Sequence, residues 1–146
     1  MRAAIVSVIV IICIIALLIR WSGDPLAAVR NAYNSGDYDR VLKLLLPLAE
    51  GGNARAQGML GAMYANGTGV DLDYMAAVTW SRRAADRGDA VAQAQLGLMY
   101  TSGLGVDKDL AEAFAWYSLS AEQGNAFAQS ELGAFGRIVR IVCPLV

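Results

Sequence analysis

The 146-residue sequence contains no histidine. That absence removes the usual general base and the commonest side-chain metal ligand, and it rules out a Cys–His nucleophilic pair. Cysteine is nearly missing too. Cys13 lies inside an apolar run and Cys143 lies near the C-terminus, a placement that predicts neither a structural disulfide nor a zinc site. Lys43 and Lys108 are the only lysines, and neither sits in a serine-containing motif, so a Ser–Lys nucleophile is not offered. Beyond Trp21, ten Lys and Arg (all but Arg2 and Arg20) meet thirteen Asp and Glu, a formal charge of −3 without a basic stripe. Nucleic acid is therefore not an expected partner. An envelope hydrolase would need a pair of acids in a cleft, and the nearest candidates, Asp71 and Asp73, read as turn residues. No catalytic residue, cofactor or metal is predicted.

What the chain does have is uneven. Residues Ala3 to Ile19 are apolar except for Ser7 and carry no charge. As a helix this run rises about 25 Å, near the lower limit for spanning hydrocarbon. Arg20 can snorkel and Trp21 can sit at the interface. A cleaved signal peptide is the rival reading, but the run exceeds the usual apolar core of such signals. Ile19-Arg20-Trp21 also stands where a small-x-small cleavage site belongs, and Ile11-Ile12 before Cys13 does not resemble a lipoprotein site. Residues 3–21 are thus predicted to be an uncleaved transmembrane anchor. The positive-inside rule gives no orientation, because Arg2 faces Arg20 and Arg30 across the run.

The remainder repeats with a period of 36 residues. Positions 52–87 and 88–123 share 16 identities, among them Ala56/Ala92, Gln57/Gln93, Leu60/Leu96, Gly61/Gly97, Tyr64/Tyr100 and Trp80/Trp116. A third copy begins at Gly124 with Ala126, Ala128, Gln129, Leu132 and Gly133. A period of this length marks a solenoid. Ala56, Leu60, Met63 and Tyr64 fall on one helical stripe, and Ala77, Trp80 and Ala84 on another. Each unit is thus two helices, A then B. Gly61 inside helix A costs about 1 kcal/mol relative to Ala, so its return as Gly97 and Gly133 predicts close helix crossings. Trp80 and Trp116 are predicted to fill the space between paired helices.

The joining segment NGTGVDLDY, Asn66 to Tyr74, could suggest phosphate or cation binding. It lacks the third glycine and the strand of a dinucleotide loop, and it has too few oxygen ligands for a calcium loop. It reads instead as a turn, with Gly67 and Gly69 at positive φ, Val70 tucked beneath, and Asp73 as helix N-cap. Asp109 has the same place in SGLGVDKDL. Residues 25–52 form a degenerate lead-in unit with helices near Leu26–Asn34 and Tyr38–Glu50, and Pro47 should kink or end the second of these.

The pattern AxAQxxLGxMYxxGxGVDxDxxxAxxWxxxAAxxG, at residues 54–88 and largely again at 90–124, resembles the Sel-one-like repeat family, relatives of the tetratricopeptide repeats. The resemblance is strong over roughly residues 53–136. It implies an all-α fold, a short right-handed solenoid of antiparallel helix pairs, here preceded by the N-terminal transmembrane helix. It implies adaptor-like binding of another protein or peptide in a bacterial envelope or signalling assembly. A single-pass protein of the bacterial inner membrane with a periplasmic repeat domain is the corresponding location. The units are then residues 25–52, repeat 53–88, repeat 89–124, a partial repeat 125–136, and an irregular tail 137–146. Gly136 stands where the pattern wants tyrosine, and GRIVRIVCPLV replaces the loop and second helix. That tail either covers the last helix A, binds a partner, or reflects a truncated frame.

A solenoid offers a concave surface built largely from helix A. Positions off the packing stripe are the candidate partner-binding residues: Arg55, Met59, Val91, Gln95, Phe127 and Glu131. Self-association through the anchor and the open C-terminal end, giving a homo-oligomer with a structural or assembly role, is the alternative.

Overall fold

The computed structural model describes residues 24–142, with side chains as far as Arg137. The expected anchor, residues 3–21, lies outside the described residues, as do residues 143–146. Among the described residues there are seven helices and no strand: α1 Ala27–Asn34, α2 Tyr38–Glu50, α3 Ala54–Asn66, α4 Tyr74–Ala85, α5 Ala90–Ser102, α6 Leu110–Glu122 and α7 Ala126–Val142. None of these is long and apolar enough to cross a membrane. Each helix packs on its sequence neighbours, and α3 also touches α5 as α5 touches α7. The A helices thus form one row. The expected units 53–88 and 89–124 hold the pairs α3/α4 and α5/α6.

Local chemistry starts every helix from α2 onward. Asp37, Asp73 and Asp109 cap the B helices, their carboxylates accepting from backbone N–H groups of the first turn. Asn53, Asp89 and Asn125 do the same for the A helices through Ala56, Ala92 and Ala128. Each such cap contributes about 0.5–2 kcal/mol. Helices α3 and α5 end on Gly67 and Gly103, both left-handed. Gly69 and Gly105 also have positive φ, and there a second constraint acts. A β-carbon on Gly69 would overlap Tyr38, and one on Gly105 would overlap the Tyr74 carbonyl. The A–B loop therefore lies against the first turn of the preceding B helix, and its Val70 or Val106 packs into the core beneath.

The core runs through three clusters. Val29, Val41, Leu45 and Leu60 anchor the first, Ala77, Ala84, Leu96 and Met99 the second, and Ala94, Ala113, Tyr117 and Ala128 the third. A fully buried Leu such as Leu60 contributes about 1.5–3 kcal/mol. Small residues dominate from Ala77 onward because the helix pairs approach closely. At Gly61 an added β-carbon would strike Ser81, and at Gly97 it would stand 2.7 Å from the Tyr117 ring. Both crossings are as tight as the sequence predicts. Gly133 is not, since its added β-carbon would meet only the tip of Arg137 at 3.8 Å. The helix that would press on it is not among the described ones.

Three other expectations need correction. Pro47 does not end its helix: α2 runs on to Glu50, because the ring falls in the last turn and removes a single donor there. Trp80 and Trp116 pack on the first and second clusters but are only half-buried. Their outer faces carry guanidinium groups instead, Arg83 4.7 Å from the Trp80 ring and Arg82 5.8 Å from that of Trp116. Arg82 also lies 5.7 Å from the Tyr100 ring and donates to its hydroxyl, joining α4, α5 and α6. Finally, residues 137–142 are not irregular. They prolong α7, since GRIVRIV contains no Gly-x-Gly turn and meets its first helix breaker at Pro144.

Candidate partner-binding groove

The row of A helices has two adjoining clefts. The first, of about 160 Å³, lies between α1 and α3, with Arg30, Tyr33 and Asn34 on one wall and Met59, Met63 and Asn66 on the other. Thr68 also lines it. The second, of about 120 Å³, lies between α3 and α5 and is lined by Arg55, Gly58, Asp89, Val91 and Gln95. Met59 and Ala62 belong to both. The two clefts therefore form one interrupted groove with Met59 as its dividing ridge. Small-molecule sites run to ~300–1,000 Å³, so each cleft suits one or two side chains of a docked chain.

Sequence patterning placed six residues on this surface, and the structure brings four of them together. Arg55, Met59, Val91 and Gln95 face the second cleft, with Val91 50% exposed. Phe127 and Glu131 stand apart on α7. Phe127 is 46% exposed and packs edge-on to Tyr117, ring centroids 6.1 Å apart. Sequence reasoning missed the α1 wall. Arg30, Tyr33 and Asn34 are spaced i, i+3 and i+4, which puts them on one helix face. That spacing is visible in the sequence, but residues 25–52 read there only as a degenerate lead-in unit.

The groove is apolar at its floor and carries two arginines, Arg30 and Arg55, at its rim. Arg30 is paired with Asp24 at 2.6 Å, both partners being well exposed. The Asp24 carboxyl is held below the usual carboxylate range, first by the Leu26 N–H that donates to it, and also by the charges of Arg30 and Arg55. Gln95 accepts from Ser81 at 3.4 Å, which ties it to α4. Asp89 is the one acid lining the clefts and is engaged as the N-cap of α5. Among the described residues no group of three His, Cys, Asp or Glu could hold a metal ion. The arrangement offers shape, apolar surface and positive charge, the means of binding.

Stacked helical hairpins with such a groove define an α-helical repeat protein, a class that works through its extended face. Residues 54–89 and 90–125 each match the Sel1 repeat, and the chain is a Sel1-like repeat protein. Among solved structures it is similar to a Sel1 repeat protein from Oxalobacter formigenes, at 34% identity and a TM-score of 0.69, over 73% of this chain and 44% of that one. It is also similar to a protective antigen of uropathogenic Escherichia coli that displays an SLR fold, at 38% identity and a TM-score of 0.63, over 65% of this chain and 20% of that one. The chain thus spans less than half the length of either. No curated protein matches it. Sel1 repeat proteins generally serve as scaffolds for protein–protein interaction.

Proposed function

We propose that this chain is a membrane-tethered interaction scaffold whose groove between α1, α3 and α5 takes up a segment of another protein. The observation that carries the reading is the convergence of residues from three units on Met59, in clefts sized for side chains. The tether rests on the uncharged run from Ala3 to Ile19. Both solved neighbours come from bacteria, one of them a protective antigen. That supports a bacterial envelope setting with the repeats on the periplasmic side of the inner membrane. The groove is a docking site, and no chemical step is assigned to it.

The test is photocrosslinking from Met59 and, in a parallel sample, from Met75, in native membranes. Met75 is 73% exposed and lies outside the groove. The expected result is one defined heterologous adduct from Met59 and none from Met75. Recovery of the chain alone, or the same adducts from both positions, contradicts the reading. Resistance of the chain to alkaline extraction from those membranes tests the tether separately.

One observation favours self-association as a second reading. Phe114 is 50% exposed, whereas Val78, its equivalent one repeat earlier, is 9% exposed. The end of the stack therefore keeps apolar surface that a second copy could cover. Loss of an oligomer on removing residues 137–146 supports this alternative, and unchanged size argues against it.

A further inference from the structure

The charge of the groove specifies its occupant more narrowly. Beyond Trp21 the chain is acidic overall, yet the groove rim presents Arg30 from α1 and Arg55 from α3. Two other arginines, Arg82 and Arg83, are laid over aromatic rings away from the clefts, whereas Arg30 and Arg55 stand at the groove rim, Arg30 on the carboxylate of Asp24. The structure also shows what this rim holds. Asp24, just ahead of α1, places one carboxylate oxygen on Arg30 at 2.6 Å while the other accepts from the Leu26 N–H. The charge of Arg55 also favours the ionised carboxyl, as the smallest of these influences. An exposed ion pair of this kind contributes little and exchanges readily. Beside it, Tyr33, Met59 and Met63 line a cleft with room for one large apolar side chain.

We propose that the groove recognises an acidic, apolar peptide segment, which seats a large apolar side chain between Tyr33 and Met59 and sets a carboxylate on the Arg30–Arg55 rim in place of Asp24. Asp24 is thus a built-in competitor that the partner displaces. This rests on the reading of the groove as a partner site and names the chemistry of that partner.

The test is selection of a random dodecapeptide display library on the full chain in detergent, followed by fluorescence anisotropy with the enriched peptides. Enriched peptides are expected to pair Asp or Glu with Leu, Met, Phe or Trp. Arg55→Gln should weaken their binding about tenfold, in line with loss of a charge-assisted contact. Raising the salt concentration should weaken it further. Asp24→Asn, which keeps the acceptor for Leu26, should tighten binding about threefold by removing an exposed competitor. Peptides that are neutral or basic, or binding indifferent to Arg55→Gln and Asp24→Asn, overturn the inference. If those peptides still lose binding on Met59→Glu, the groove survives as a site of different specificity. If Met59→Glu changes nothing, or no peptide is enriched, both the inference and the groove fall.

Discussion

In the second repeat the ring of Tyr117 lies against Gly97, where an added β-carbon would stand 2.7 Å from two ring carbons. Gly133 holds the same position one repeat later, where an added β-carbon would, among the described residues, meet only the tip of Arg137 at 3.8 Å. One substitution should therefore have opposite signs at the two sites. Gly97→Ala gains helix propensity but collides with a fully buried ring, a net loss of about 1–2 kcal/mol. Gly133→Ala meets no obstacle among the described residues and should stabilise α7 by up to ~1 kcal/mol. Urea midpoints of the two variants check this, and a shift of the same sign in both contradicts the packing described.

A repeated glutamine ties each A helix to the B helix before it. Gln57 donates to the Ala49 carbonyl at 2.8 Å and Gln93 to that of Ala85 at 3.2 Å, both side chains being buried. Gln93 also accepts from Gln123 at 2.8 Å. Gln129 repeats the bond to Ala121 at 3.2 Å but in solvent. Gln93→Leu strands buried partners and should cost about 1–3 kcal/mol. Gln129→Leu should stay within ~0.5 kcal/mol. Thermal melts of both variants provide the comparison.

Tyr117 is fully buried, and its hydroxyl, with Thr101 close by, completes no hydrogen bond of normal geometry among the described residues. Burial pushes the phenol above its ordinary value. Its contribution to stability is then fully present below about pH 10, where the unfolded phenol titrates, and is lost as the pH rises through the higher folded value. Tyr117→Phe removes both the stranded hydroxyl and this loss. The variant should be at least as stable at neutral pH, by up to ~1 kcal/mol, and its advantage should grow as the pH rises above about 10. Melts across that range decide it, and a variant that loses stability at neutral pH would show that the hydroxyl is satisfied after all.

Much of this architecture is written in the chain because it is local. The N-caps Asp73 and Asp109 and the left-handed glycines after α3 and α5 each need only a few neighbouring residues. The crossings at Gly61 and Gly97 were legible because a costly residue recurs in register. Gly133 carries the same letter without the same crossing, since the tightness belongs to a pair and its partner helix is not described. The groove was half legible. Periodicity says which face of α3 and α5 points away from the core, and the four residues it names there, Arg55, Met59, Val91 and Gln95, line one cleft. It does not say which gap between helices stays open. That depends on the spacing left between α1 and α3, and so Arg30 and Tyr33 were missed while Phe127 and Glu131 lie on α7 outside both clefts.

The groove itself is tested most directly by the affinity of the full chain for a captured partner or selected peptide, measured for Met59→Glu and Met75→Glu at matched thermal stability. A carboxylate on the dividing ridge of the two clefts should weaken binding about tenfold or more, while the same charge at the exposed Met75 leaves it unchanged. Equal effects at both positions, or full affinity in Met59→Glu, would contradict the account.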